Sequence, residues 1–119
     1  ELTYLIYTIS RHGKTNERIL SPKKIYAADL GIKTIFTGFR DKGSYFENYV
    51  FQLIKARNPQ YLYQNGIELD FITEKQELFE IKYHSEINAK QKQLFDSFEA
   101  RYKAIINGPQ DLGLLNPSF

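Results

Sequence analysis

The pattern of apolar and polar positions after residue 43 predicts alternating helices and strands. Residues 44–57, SYFENYVFQLIKAR, carry apolar side chains at helical spacing, and Pro59 follows them. Three strand-like runs come next, at residues 60–64, 67–73 and 77–84. A second helical stripe covers 88–102, and the apolar run at 103–107 predicts a last strand. This order predicts a meander, a helical crossover and a fourth strand, which is an α/β fold with a mixed sheet flanked by helices.

The first 43 residues predict a hairpin and a linker. Apolar, β-branched and aromatic runs at 2–10 and 19–29 flank a polar connection, whereas the pattern of 30–38 is ambiguous. A chain of 119 residues holds one core. We therefore expect a single domain in three parts: an N-terminal hairpin and linker at 1–43, a core at 44–108 and an irregular tail at 109–119.

Composition limits the classes of protein and the cellular locations that fit this chain. The chain has no cysteine, which excludes disulfides and thiolate chemistry, and no apolar run approaches the roughly 18 residues of a membrane span. Nothing resembles a signal peptide, so we expect a cytoplasmic protein. The chain also contains no methionine and begins with Glu1, from which we expect a piece of a longer protein.

Basic residues are concentrated near the N-terminus. The net charge is only +2, yet the segment 11–24 holds five basic residues against one acid, Glu17. The five residues of this basic arm are Arg11, Lys14, Arg18, Lys23 and Lys24. We interpret the basic arm as a candidate DNA-binding surface. The alternative is the solvated tip of a hairpin that binds nothing.

Charged residues on the predicted core strands need an explanation. Because side chains alternate along a strand, Glu68 and Asp70 share one face, opposite Leu69 and Phe71. The next strand places its own charges, Glu80 and Lys82 with His84, on one face in the same way. Burial of a charge is costly unless a partner or a metal ion compensates.

A divalent metal ion is one explanation. If the two strands pair, Asp70 and Glu80 come within reach of one shared cation, and the backbone carbonyl of Ile81 can add a ligand for Mg²⁺ or Mn²⁺. Lys82 beside them suits the stabilisation of a hydroxide made from a bound water. On the first helix, Glu47 falls inside the apolar arc that faces the sheet, where it can complete an acidic cluster.

Each of these residues also has a purely structural explanation. Glu47 forms a capping-box pattern with Ser44, and the opposed charges of the two strands fit a plain cross-strand ion pair. Glu68 and His84 fit solvated surface positions. Gln91, the polar member of the second helical stripe, either reaches a phosphate or caps the buried edge of its helix.

An acidic residue lies on the first predicted helix of the core, and Asp70 and then Glu80-x-Lys82 follow it on the strands. The elements run in the order helix, three strands, helix and strand. This pattern resembles the PD-(D/E)XK nuclease superfamily, which has the restriction endonuclease-like fold. Four stretches resemble more specifically the C-terminal domain of uncharacterised function in archaeal and bacterial AAA-type ATPases: KKIYAADLGI, FENYVF, GIELDFI and FEIKYH. Leu69 departs from the superfamily pattern, because a proline usually precedes the first aspartate.

The resemblance implies a Mg²⁺- or Mn²⁺-dependent nuclease that acts on DNA phosphodiesters. Asp70 and Glu80 would bind the metal, Lys82 would assist the attacking water, and Glu47 would complete the acidic cluster. It further implies that an ATPase and winged-helix portion of the same chain are partners. No Gly-x-x-x-x-Gly-Lys run occurs in these residues, so we expect no ATP binding by this piece.

A non-catalytic module that binds DNA or a protein is the alternative function, on an inactive nuclease fold that regulates the ATPase. The basic arm would then provide the affinity. Nine Tyr and nine Phe also exceed what a small core usually needs, which raises the further expectation of a homodimer.

Overall fold

Two β-sheets organise the part of the chain that the structure describes. The computed structural model describes residues 6–27 and 42–117. Its strands are β1 (Ile6–Ile9), β2 (Lys24–Ala27), β3 (Gln60–Gln64), β4 (Ile67–Ile72), β5 (Glu77–Ile81) and β6 (Tyr102–Ile106). Its helices are α1 (Thr15–Leu20), α2 (Lys42–Ile54) and α3 (Ala89–Ser97), with 3-10 helices at Lys55–Arg57 and Pro109–Leu115. None of the helices in these two ranges is long and apolar enough to cross a bilayer.

The larger sheet has the strand order β3-β4-β5-β6. The first three strands form an antiparallel meander, and the chain returns through α3 so that β6 pairs in parallel with β5. Asn65 and Gly66 form the β3–β4 turn with positive φ values of 53° and 79°, as a type I′ turn requires. The smaller sheet is the antiparallel β1–β2 pair. The predicted α/β fold with a mixed sheet and helices is confirmed at this level.

An apolar cluster covers each face of the larger sheet. On one face, Tyr26 of the hairpin stacks on Phe51 of α2 with ring centroids 4.5 Å apart, and Phe51 contacts Phe71 of β4. On the other face, Phe95 of α3 belongs to a cluster with four strand residues, Leu62, Leu69, Ile72 and Leu78. Burial on both faces explains why β4 and β5 are apolar along most of their length.

The connection of the N-terminal hairpin contains a helix that the sequence analysis did not predict. The strands expected over 2–10 and 19–29 are shorter in the described residues and correspond to β1 and β2. Ile19 and Leu20 belong to α1 and are 69% and 82% exposed, so the strand assignment was wrong there. The ambiguous run at 30–38 lies outside the described residues.

Two predicted elements end earlier than expected. α3 ends at Ser97 because Phe98 takes an extended conformation, with φ −71° and ψ 132°, so the helix predicted to residue 102 was wrong in its last part. Tyr102 begins β6 instead. β5 ends at Ile81, and His84 has a φ of 53°, which a strand residue does not adopt.

The described part of the segment after β6 is mostly helical and packs on the domain, so the prediction of an irregular tail over 109–119 was wrong for residues 109–115. Residues Pro109–Leu115 form a 3-10 helix, and Leu115 is buried in the cluster beneath α2. The Arg57 guanidinium donates to the carbonyl of Leu115 at 2.6 Å, and the Tyr102 hydroxyl donates to the carbonyl of Leu114 at 2.8 Å.

Asn48 is a buried polar residue that joins α2 to the hairpin. Its side chain accepts a hydrogen bond from the backbone N–H of Ala27 at 2.9 Å and donates to the carbonyl of the same residue at 3.0 Å. Gln52, one turn along α2, donates to the same carbonyl. These bonds fix α2 against the end of β2, the strand that also presents Lys24 and Tyr26.

Asn48→Ala is therefore expected to lower the free energy of unfolding by roughly 1–3 kcal/mol, because the partly buried N–H and carbonyl of Ala27 lose their bonds to the buried Asn48 side chain. Urea denaturation of both proteins measures the difference. Gln93→Ala, at an exposed position of α3, is the control and should change stability little. Equal stability of Asn48→Ala and the wild type would contradict the role assigned to this side chain.

Candidate functional site

The candidate site lies where β4 and β5 separate. The pairing of these strands joins Ile72 to Leu78 and Phe71 to Phe79. At the next position, side-chain carboxylates take the place of the backbone hydrogen bonds between the two strands. The Asp70 N–H donates to Glu80 Oε1 at 3.0 Å, and the Ile81 N–H donates to Asp70 Oδ2 at 2.8 Å. Each carboxylate therefore accepts a hydrogen bond from a backbone N–H of the opposite strand.

A β-bulge in β4 changes the face on which Phe71 packs. Gln60 pairs with Ile72 and Leu62 pairs with Leu69, so one residue of β3 opposes two residues of β4, Asp70 and Phe71. The extra residue interrupts the alternation of side chains. Leu69 packs beneath α3, whereas Phe71 packs beneath α2. The prediction that these two residues share one face was wrong for this reason.

Lys24 of β2 lies among three carboxylates. Its Nζ is 3.0 Å from Glu68 Oε2, 3.2 Å from Glu47 Oε2 and 3.5 Å from Asp70 Oδ1. The Tyr26 hydroxyl, two residues along β2, also donates to Glu47 Oε2. The shared contact confirms that Glu68 and Asp70 project to one side of β4.

Lys82 approaches from the α3 side of the sheet. Phe79 and Ile81 belong to the cluster beneath α2, so strand alternation turns Glu80 toward the other face. Lys82 Nζ lies 3.5 Å from Glu80 Oε2 and donates to Gln91 Oε1 of α3 at 3.1 Å. Gln91 Nε2 then donates to the carbonyl of Glu68 at 3.2 Å, which connects α3 to β4.

Burial and mutual repulsion perturb the acids of the site. Burial, followed by repulsion from Glu47 and Glu80, raises the pKa of the Asp70 carboxyl well above its usual range. Burial also raises the pKa of Glu80, against the opposing effects of hydrogen bonds with Asp70 and of the Lys82 charge. Burial lowers the pKa of Lys24, but attraction to the surrounding acids, led by Glu47 and Asp70, outweighs it and the net pKa is raised.

The structure brings six of the predicted site residues together around the separation of β4 and β5. They are Glu47, Glu68, Asp70, Glu80, Lys82 and Gln91. Ser44 lies inside the first turn of α2, which begins at Lys42, so it is not the N-cap of the predicted capping box. Ile81 ends β5, where its carbonyl remains only a predicted ligand. His84 is exposed beyond the strand, beside Tyr83.

The basic arm does not form one uniform surface. Lys24 lies in the carboxylate cluster, and Arg11 donates to the carbonyl of Tyr63 at 2.8 Å and to Ser21 Oγ at 3.2 Å. Lys23 is exposed and donates to Ser10 Oγ at 3.0 Å. The two remaining members of the arm, Lys14 and Arg18, are exposed at α1.

Sequence reasoning missed three features of the site. The position of Lys24 gave no signal, because its charge fits a basic surface as well as an acidic cluster. Tyr26 lay in a strand-like run and was counted only as an apolar residue. A signal did exist for α3: Asn88 is its N-cap and forms a capping box with Gln91, an Asn-x-x-Gln spacing visible in the sequence.

The carboxylate oxygens of the site are suitable ligands for a hard divalent cation, but in the described residues they are not grouped around a metal position. Within residues 6–27 and 42–117, no group of three or more His, Cys, Asp or Glu side chains is placed to hold a metal ion. The carboxylates instead direct their oxygens at Lys24 and at backbone amides. Lys24 shows that oxygens of Glu47, Glu68 and Asp70 can surround one positive charge. Carboxylate oxygens are also the ligands that Mg²⁺ and Mn²⁺ favour.

Comparison with protein-family models, with curated proteins and with solved structures gives no match to this chain.

Asp70→Asn is expected to stabilise the protein at pH 7 without divalent cations. The pKa of Asp70 is raised by burial and by repulsion from Glu47 and Glu80, against the attraction of Lys24, so its charge opposes folding. This penalty begins above the ordinary Asp pKa of about 3.9 and is complete above the raised pKa of the folded state. The stability gain of the variant should therefore shrink as the pH falls toward 4.

Urea denaturation between pH 4 and pH 8 measures this dependence. Asp96→Asn is the matched control, because Asp96 is exposed on α3 and pairs with Lys92 at 2.7 Å. The control should show no gain at pH 7. A variant Asp70→Asn less stable than the wild type at pH 7 would contradict the interpretation.

Proposed function

We propose that this domain is a Mg²⁺- or Mn²⁺-dependent nuclease-like domain of the PD-(D/E)XK type, with a restriction endonuclease-like fold, that acts on DNA phosphodiesters. One observation supports the proposal most strongly. Side chains from α2, β4, the end of β5 and α3 meet where β4 separates from β5. They are Glu47, Asp70, Glu80, Lys82 and Gln91. A cross-strand ion pair alone does not account for the residues that the two helices add.

The acids and the lysine of the site have separable roles. Asp70, Glu80 and Glu47 would hold the cation, together with the predicted carbonyl ligand of Ile81. A divalent cation supplies charge neutralisation and a more acidic bound water. Lys82, held between Glu80 and Gln91, would assist the attacking water by stabilising the hydroxide made from it.

The architecture also fits the proposed place of this domain as the C-terminal part of a AAA-type ATPase. The mixed sheet and its flanking helices form a unit with its own two apolar clusters. Under this proposal the ATPase and winged-helix portion lie elsewhere in the parent chain, and DNA is the substrate of the piece described here.

Cleavage of plasmid and branched DNA in Mn²⁺ tests the proposal. Asp70→Asn and Lys82→Met are expected to lower the cleavage rate by at least about 100-fold while the fold is retained, because the first weakens a metal ligand and the second removes the ammonium that would assist the attacking water. Asp96→Asn and Lys92→Met are matched controls, since these residues form an exposed ion pair on α3.

Circular dichroism should show the same secondary structure in all four variants. Cleavage that persists in both Asp70→Asn and Lys82→Met would show that another site, or a contaminant, performs the reaction. The absence of cleavage in the wild type, in either metal and on either substrate, would also count against the nuclease assignment.

A non-catalytic DNA-binding module is the second candidate, and the position of Lys24 favours it. An ammonium group already offsets part of the negative charge of the acidic cluster, as in a structural ion-pair network. The exposed members of the basic arm are accessible to phosphates. They are Lys14, Arg18 and Lys23.

Under this second candidate, replacing Lys14, Arg18 and Lys23 together by Ala should weaken binding to duplex DNA. The slope of log K against log salt should become shallower by roughly 0.9 for each phosphate that the protein no longer neutralises. Fluorescence anisotropy at several salt concentrations measures the slope. The control replaces Lys90 and Lys92 of α3, two exposed bases outside the arm. An unchanged slope in the triple variant would show that the exposed residues of the basic arm do not bind DNA phosphates.

A further inference from the structure

Lys24 has the environment of a bound cation. Three carboxylate oxygens, from α2 and β4, lie 3.0–3.5 Å from its Nζ. The ammonium also lies 5.6 Å from the ring centroid of Tyr26 and 5.9 Å from that of Tyr61, distances at which a cation is attracted to an aromatic face. The contacts are therefore those of an internal counter-ion.

Lys24 and a divalent cation would compete for the same carboxylate oxygens. Asp70 Oδ2 already accepts from the N–H of Ile81, which leaves Oδ1 as the oxygen that faces Lys24. Glu47 uses one oxygen, Oε2, for both Lys24 and Tyr26. A divalent cation bound to Asp70 Oδ1 and Glu47 Oε2 would lie beside the ammonium, and repulsion between the two positive charges favours displacement of Lys24.

The position of Lys24 in the fold allows such an exchange. Lys24 is the first residue of β2, directly after the exposed Lys23, and its side chain is 23% exposed. A lysine side chain has a long, flexible stem. The ammonium can therefore leave the carboxylates without any change in the pairing of β2 with β1.

We propose that Lys24 is an internal counter-cation of the acidic cluster, which a divalent cation must displace to bind, so that Lys24 sets the metal affinity of the site. The inference rests on the metal site of the proposed function. Metal binds only the fraction of molecules in which Lys24 has left, so the apparent dissociation constant exceeds the intrinsic one by the inverse of that fraction.

Amine labelling of the wild-type protein tests displacement directly. The protein is treated with an acetylating reagent with and without Mn²⁺, and peptide fragmentation distinguishes Lys24 from Lys23. Labelling of Lys24 should be slow without metal and should rise several-fold at saturating Mn²⁺. Labelling of Lys23, which is exposed and donates to the hydroxyl of Ser10, is the internal control and should not respond.

Mn²⁺ affinity, measured by electron paramagnetic resonance and by thermal shift, gives the second readout. Lys24→Met should bind Mn²⁺ at least about tenfold more tightly than the wild type, if Lys24 leaves the cluster about a tenth of the time or less. Lys24→Met should also be less stable than the wild type without metal and regain stability in Mn²⁺. Lys23→Met should match the wild type in both respects, and Lys24→Arg should keep the weaker affinity.

Each outcome separates this inference from the proposed function. If the wild type binds Mn²⁺ but Lys24 labelling does not change, the displacement is refuted and the metal site stands. Equal Mn²⁺ affinity of Lys24→Met and the wild type refutes it in the same way. If Lys24→Met binds Mn²⁺ and the wild type does not, the inference is supported, because the wild-type lysine then excludes the ion. If neither protein binds Mn²⁺, both the inference and the metal site are refuted.

Discussion

The rest of the site depends on the hydrogen bonds that the Asp70 and Glu80 side chains accept from the backbone of the opposite strand. Antiparallel strands normally satisfy their backbone groups with each other. Here the N–H groups of Asp70 and Ile81 are satisfied by carboxylates instead. This substitution lets β4 and β5 separate without leaving these two donors unpaired, and the gap between them becomes accessible to side chains from both helices.

The site joins the two faces of the sheet. Lys24, Glu47 and Asp70 meet on the side covered by α2 and the hairpin, whereas Lys82 reaches Gln91 on the side covered by α3. A polar network that crosses a sheet needs a local break in the strand pairing, because a regular sheet would keep its two faces apart. The β-bulge in β4 and the early end of the β4–β5 ladder together provide that break.

The charges of the site oppose the stability of the fold. Asp70 and Glu80 are 8% and 2% exposed, and burial raises the pKa of both carboxyls. An apolar pair at these positions would stabilise the sheet without the desolvation cost. Lys24 and Lys82 offset part of that cost, so the hairpin contributes a charge to the site as well as apolar contacts. Functional sites commonly contain such perturbed groups, and structural ion-pair networks can contain them too.

The sequence by itself determined the order of α2, β3, β4, β5, α3 and β6, since hydrophobic periodicity and turn residues are local properties of the chain. It also identified Asp70, Glu80 and Lys82, because a charge on an apolar strand is visible without any knowledge of its neighbours. Only the tertiary structure decided the place of Lys24, the packing of Phe71 on the face opposite Leu69, and the end of α3 at Ser97. These features depend on a bulge and on contacts between residues far apart in the chain. Strand alternation and helical periodicity do not encode such contacts.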